Sequence, residues 1–279
     1  MPASDPIAGR ETPLLLFLIA PAMAIFAAFW LLPIGRLVLL GASGEHGLAT
    51  YLEVLVTQRY LFTLFLTAAL AAGVTMVTLV ICVISGVFLA RAHFRGRSLL
   101  VSILTLPLAF PGVVIGFMVI MLAGRQGVIG SLSNWLTGNR LVFAYTFAGL
   151  FVGYVYFSSP RVILTVMASA EKLDLQIEEA AKSLGASEWR VFWDVVIPGL
   201  MPALMSSGAI CFATAMGAFG TAFTLNVGIP VLPMLIYTEF TLNANIAVAA
   251  ALSVILGLIT WLALAAARSF AGNTVAAAA

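Results

Sequence analysis

The sequence predicts an all-α membrane protein with six transmembrane helices. Hydrophobic residues make up 62% of the 279-residue chain and charged residues 9%, against about 45–50% and about 25% in ordinary globular chains. The charges are clustered and leave long uncharged stretches, and roughly 18 or more such residues can cross the hydrocarbon core as a helix. These stretches are apolar on every side, whereas barrel strands alternate apolar and polar residues, so helices satisfy the backbone in lipid here.

Taken in order, the first span is Leu14–Leu32, holding Pro21 and stopping near Pro33. The second lies within Leu61–Ala90, thirty residues without a charge, and the third within Ser98–Gly124. Both exceed the membrane thickness and must tilt or protrude. The fourth begins near Leu141 and reaches Pro160, the fifth lies within Leu200–Val227, and the sixth within Phe240–Ala267. Met1–Thr12 lacks a basic start and no small-residue cleavage site follows, so the first run is expected to be a retained helix.

Lysine and arginine set the orientation. If six spans alternate, Arg10, Arg91, Arg95, Arg97, Arg161, Lys172, Lys182, Arg190 and Arg268 share one side, nine of the thirteen basic residues. Arg36, Arg59, Arg125 and Arg140 fall on the other. Both termini are therefore expected in the cytoplasm. The loops 41–60, 125–140 and 228–239 then face outward. The last contains Ile229-Pro230-Val231-Leu232-Pro233, apolar enough to dip back into the membrane. The net charge of +2 carries no message about nucleic acid.

The cytoplasmic stretch Glu171–Asp194 is unlike the rest. It holds six of the eleven acids, with Lys172, Lys182 and Arg190, and is far longer than a connector needs. Asp174 can cap a helix start. Ile177, Ala181 and Leu184 then share one face, with Glu178, Glu179 and Lys182 around the other sides. Gly185 can end that helix in the left-handed conformation. Ser187 can cap a second short helix striped by Trp189, Phe192, Trp193 and Val196, and Pro198 and Pro202 bracket the entrance to the fifth span. Two short helices meeting at a glycine turn suit a groove on a cytoplasmic partner.

The run Glu179-Ala180-Ala181, three residues, Gly185, nine residues, Val195-Val196-Ile197-Pro198 resembles the EAA loop of binding-protein-dependent ABC importer permeases. Val195 and Ile197 replace the family's isoleucine and leucine, apolar for apolar. Leu184-Gly185-Ala186-Ser187 and Glu171-Lys172-Leu173-Asp174 also look like that family. The loop's place between spans four and five extends the resemblance over most of the chain, one transmembrane domain over residues 1–279 with the loop at about 171–198.

The resemblance implies a type I importer permease in the bacterial inner membrane. It implies pairing with a second, identical or different, permease subunit around a central path. It further implies two cytoplasmic ATPase subunits that hydrolyse the ATP, a periplasmic or lipid-anchored binding protein that delivers substrate, and membrane lipids around the spans. Glu179, Ala180, Ala181, Gly185, Ala186 and Ser187 would carry ATPase coupling. Within the superfamily, Met167–Asp174 looks most like polyamine permeases. The wider relatives include permeases for ferric iron, sulfate, molybdate and phosphonates; Ala218–Thr221 and Leu232–Thr238 look more like the oxyanion group among them, although that group usually has an acid at Ala218. Polyamine is the leading substrate reading and the oxyanions and iron its alternatives.

No G-x-x-x-x-G-K-[ST] occurs, so ATP binding by the chain's own phosphate loop is not expected. H-E-x-x-H and paired zinc-spaced cysteines are also missing from the sequence. The chain is therefore expected to have no catalytic residues, metal site or cofactor. A secondary transporter is the competing class, but it would need midplane acids or repeats, and none is evident. With almost no ionisable groups in the expected spans, the path should be lined by hydroxyls, amides and backbone. Phe219, Thr221, Thr224 and Asn226 are the path candidates, with Gly217 and Gly220 permitting close helix approach. Arg91, Arg95 and Arg97 read as topology determinants and lipid-phosphate contacts. Glu239 reads as a solvated rim charge, His46 and His93 as solvated loop residues, and Cys82 and Cys211 as reduced core residues. Phe143, Phe147, Phe151, Tyr154 and Phe157 form an aromatic stripe for packing or lipid contact. Pro107 and Pro111 mark either a kink at a gate or tolerated prolines.

Overall fold

The computed structural model describes residues 18–44, 47–225 and 228–277, with side chains through Ser269. Arg10, His46, Asn226 and the stretch Met1–Thr12 lie outside the described residues. Every regular element described is helical. Six stretches are long and apolar enough to cross a membrane: Leu18–Gly41, Gln58–Arg91, Gly112–Thr137, Phe147–Ala170, Glu188–Met216 and Ile246–Ser269.

We label the elements in chain order. Helix α1 (Leu18–Gly41) is followed by a short helix, α2 (Ala49–Val56), and the long α3 (Gln58–Arg91). Then come α4 (Arg97–Thr105), a 3-10 turn at Leu106–Ala109, α5 (Gly112–Ala123) and α6 (Val128–Thr137). Helix α7 (Phe147–Ala170) leads into the charged stretch, where α8 (Leu175–Ser183) and α9 (Glu188–Met216) lie. The chain ends through α10 (Phe219–Leu225), α11 (Leu232–Thr241) and α12 (Ile246–Ala277).

Prolines did not stop the spans as the sequence suggested. Helix α1 runs past Pro33, and α9 joins the second short helix of the charged stretch to the fifth span without a break. A proline lacks an N–H and its ring crowds the carbonyl four residues back. In both helices a π-turn, Ala27–Leu31 in α1 and Phe192–Val196 in α9, directly precedes the segment that contains the proline. There Leu32 N–H bonds to Ala27 O and Ile197 N–H to Phe192 O, one residue further back than in an α-turn. The wider turn absorbs the crowding and lets the helix continue. Pro160 likewise sits inside α7, which extends to Ala170.

The third apolar run, expected as one span, is divided. Phe110 and Pro111 are extended, so the chain breaks at Pro111, between the 3-10 turn that holds Pro107 and α5. The fifth span is also shorter at its far end than expected, because α9 stops at Met216 and α10 is a separate helix.

The main core lies where α3, α5, α7, α9 and α10 meet, filled by Leu70, Val74, Val119, Leu150, Val166, Leu200, Met216 and Leu225. A second cluster joins α2, α11 and α12 through Val54, Leu232, Leu235, Leu252 and Ile255. Val231 and Leu232 are buried, and Leu232 N–H donates to Thr67 Oγ1 at 2.8 Å. The segment expected to dip back thus packs inside the bundle.

Candidate functional site

The charged stretch folds as its residues suggest. Asp174 accepts from Gln176 N–H at 2.9 Å and starts α8. Gly185 takes φ +88°. Gly185 N–H bonds to Lys182 O at 2.9 Å, and Ala186 N–H bonds to Ala181 O at 3.1 Å. This pair of bonds closes the helix end only when the turning residue is left-handed, which favours glycine. Ser187 Oγ then accepts from Arg190 N–H at 3.3 Å and starts α9.

Glu179, Ala180, Gly185 and Ser187 are exposed, with Ala181 and Ala186 half-buried. Leu175, Ile177, Leu184, Trp189 and Trp193 are exposed beside them, Leu184 at 89%. Apolar side chains clustered on a charged loop are what an interface core presents. Lys182 reaches Glu188 across the turn at 3.2 Å.

Sequence reasoning missed the residue that anchors this loop. Glu178 is 7% exposed, and both its carboxylate oxygens accept from Arg91, Nη1 to Oε2 at 2.8 Å and Nη2 to Oε1. Arg97 bonds Glu171 Oε1 at 2.9 Å and Leu89 O at 2.6 Å. Arg91 and Arg97 therefore hold the loop to the end of α3, beyond any role in topology. A bidentate guanidinium–carboxylate pair fixes orientation as well as distance. Two adjacent acids, one turned inward and one outward, gave no sequence signal of which was which.

The path candidates separate. Thr221 is 1% exposed and donates to Gly112 O at 2.9 Å. Thr224 Oγ1 lies 3.2 Å from Val113 O and 2.9 Å from Gly220 O. A Cβ on Gly116 would come within 2.6 Å of Thr224 Cβ, so α5 and α10 touch backbone to side chain. These threonines join two helices of one subunit, Thr221 enclosed and Thr224 half-buried, because the break at Pro111 brings α5 carbonyls against α10. Phe219 is half-buried and packs with Phe223 and Tyr237 at centroid distances of 5.2 and 5.5 Å. Tyr154 is buried and its hydroxyl donates to Ala218 O at 2.5 Å, pinning the break after α9.

One charge has surroundings other than expected, and another lies within a helix. Glu239 is 3% exposed, takes a hydrogen bond from Asn243 at 2.9 Å and sits 3.6 Å from Arg59. Arg161, expected after the fourth span, stands inside α7, which continues nine residues past it. Cys82 and Cys211 are free and buried.

Residues 82–271 match the family described as the binding-protein-dependent transport system inner membrane component. The chain belongs to this family. It is thus a membrane component of a transport system. It is 34% identical over 155 residues to the molybdenum transport system permease protein ModB of Escherichia coli (strain K12), covering 54% of this chain and 66% of that protein. It is 33% identical over 180 residues to the chloroplastic sulfate permease 2 of Chlamydomonas reinhardtii, covering 64% of this chain and 48% of that protein. These matches span two-thirds or less of those relatives. A longer alignment, 29% identical over 267 residues, covers 91% of this chain and 92% of the putative 2-aminoethylphosphonate transport system permease protein PhnU of Salmonella typhi. The fold is similar to that of a bacterial ABC transporter involved in alginate import, with a TM-score of 0.76 at 15% identity over 95% of this chain and 96% of that one.

Proposed function

We propose that the chain is the permease subunit of a binding-protein-dependent ABC importer for a small oxyanion of the molybdate, sulfate or phosphonate class. It pairs with a second permease subunit, takes substrate from a binding protein and is driven by two cytoplasmic ATPase subunits. Both termini are cytoplasmic. The observation that carries the coupling role is the continuity of α9. It starts at the glycine turn beside the exposed Glu179 and ends at Met216 in the core. A rigid helix of that kind turns a push on the loop into movement of the fifth span.

The oxyanion reading takes the place of polyamine. Three relatives named for molybdenum, sulfate and 2-aminoethylphosphonate support it. So does the character of the described spans, whose depth holds a basic residue and no acid to attract a polycation.

Reconstitution of the complete importer tests this. ATP-driven uptake of molybdate, sulfate or 2-aminoethylphosphonate is expected, with spermidine neither transported nor competing. Spermidine uptake with no oxyanion uptake overturns the substrate reading. Failure of the ATPase to co-purify with the chain overturns the importer reading.

A further inference from the structure

Arg161 is the fifteenth of the 24 residues of α7. It lies nine residues before Ala170, about 14 Å along the axis, in a hydrocarbon layer about 30 Å thick. Glu171 and Lys172 follow at the helix end. The guanidinium does not reach back toward that end. Helical side chains lean toward the N-terminus, and Nη1 bonds Thr214 Oγ1 at 3.1 Å, two residues before α9 ends at Met216.

The partner is a hydroxyl, not a carboxylate. Among the described residues Arg161 joins none of the five ion pairs. Thr214 gives its own proton to Ile210 O at 2.7 Å, which leaves a lone pair for Arg161. One guanidinium N–H is thereby held, and among the described residues the other donors have no protein acceptor.

The surface around Arg161 is open. One stripe of α7 carries Leu150, Tyr154, Arg161 and Ala168. Leu150 and Tyr154 are buried, and Tyr154 is closed off by its bond to Ala218 O. Arg161 and Ala168, two and four turns further on, are exposed. The cover thus ends just above Arg161. An unpaired arginine at this depth does not face acyl chains, where its charge is costly; such residues face a water-filled cavity or another helix.

We propose that Arg161, oriented by Thr214, is an anion-coordinating station in the translocation path, taking a tetrahedral oxyanion between the closed outer segment and the cytoplasmic opening. The proposal rests on the oxyanion reading above. The guanidinium offers its remaining N–H groups as a fork that matches oxyanion geometry. A single such contact releases its anion readily. Arg161 is the binding residue and Thr214 the positioning residue.

The test uses the complete importer in proteoliposomes, with Cys82→Ala and Cys211→Ala as background. Arg161→Cys is expected to react with a membrane-impermeant, charged thiol reagent supplied in water. No reaction, while a cysteine at Ser187 labels fully, places Arg161 in a subunit interface and overturns the proposal. In the native-cysteine complex, Arg161→Gln is expected to lower sulfate or molybdate uptake about tenfold or more, the loss of one charge-assisted contact. Arg161→Lys should recover part of it and Thr214→Val should fall between. Binding-protein-stimulated ATP hydrolysis should stay within about twofold throughout, which a folding defect would not allow. Full uptake by Arg161→Gln, or loss of the second permease subunit from it, overturns the proposal. A wild-type complex that imports none of the three anions overturns the substrate reading and the anion role with it. Absent labelling overturns the Arg161 proposal and leaves the substrate reading standing.

Discussion

The Arg91 guanidinium grips Glu178 through both carboxylate oxygens and so ties the C-terminal end of α3 to α8. The charged loop is therefore braced from two directions. Covalently it continues into α9, and through this ion pair it rests on the helix that lines much of the core. Removing one member of a buried pair costs about 3–5 kcal/mol. Arg91 is partly exposed, at 32% of its side chain, which places the expected loss nearer about 2–3 kcal/mol. Glu178→Gln and Arg91→Met should each lower thermal stability in detergent and uncouple ATP hydrolysis from uptake. The exchange Arg91→Glu with Glu178→Arg should restore part of both. A double-mutant cycle in stability with no coupling energy sinks the bracing role.

Gly185 and Glu179 act at the surface of the same loop. At φ +88° a residue with a side chain pays roughly 1–2 kcal/mol for the left-handed backbone. No other atom lies within 4 Å of a Cβ built there, so the turn itself would survive. Gly185→Asp and Glu179→Lys should insert normally and keep six spans. Both should abolish uptake by losing the ATPase from the membrane or by uncoupling its hydrolysis. Co-purification of the ATPase and stimulated hydrolysis in proteoliposomes measure this. Wild-type association, stimulation and uptake in both variants would remove the coupling assignment.

Thr221 serves packing between α5 and α10. Thr221→Val keeps the shape and removes the hydrogen bond to Gly112 O, at an expected loss of about 0.5–1.5 kcal/mol in stability. Thr221→Ser keeps the bond and should be milder. Neither should change which oxyanion competes best for uptake. Altered substrate preference in either variant would return Thr221 to the path.

Orientation is checked by single cysteines. Asn134 on α6 and Leu242 after α11 are exposed, and both lie outward if the termini are cytoplasmic. They should react with an impermeant thiol reagent on intact cells, whereas Ser187 should react only after the membrane is opened. The reverse pattern inverts the topology.

The sequence by itself determined the all-helical membrane class, the six-span count, the two caps at Asp174 and Ser187 and the glycine turn between them. Each of these depends on residues close in the chain, through hydropathy, side-chain capping and backbone freedom. The EAA spacing also singled out this loop as the one to test for ATPase coupling. Tertiary structure alone decided which neighbour each charge meets. Glu178 and Glu179 are adjacent in sequence, yet only Glu178 turns inward, because Arg91 stands 87 positions away at the end of another helix. Glu239 is buried for the same kind of reason, with Arg59 and Asn243 beside it. The spans' ends were also beyond local reading. Pro33, Pro160 and Pro198 look like stops, but π-turns before Pro33 and Pro198 let those helices continue, and packing holds α7 together across Pro160. That continuation places Arg161 inside α7, and its hydroxyl partner and its exposed side appear only once α7 and α9 lie together.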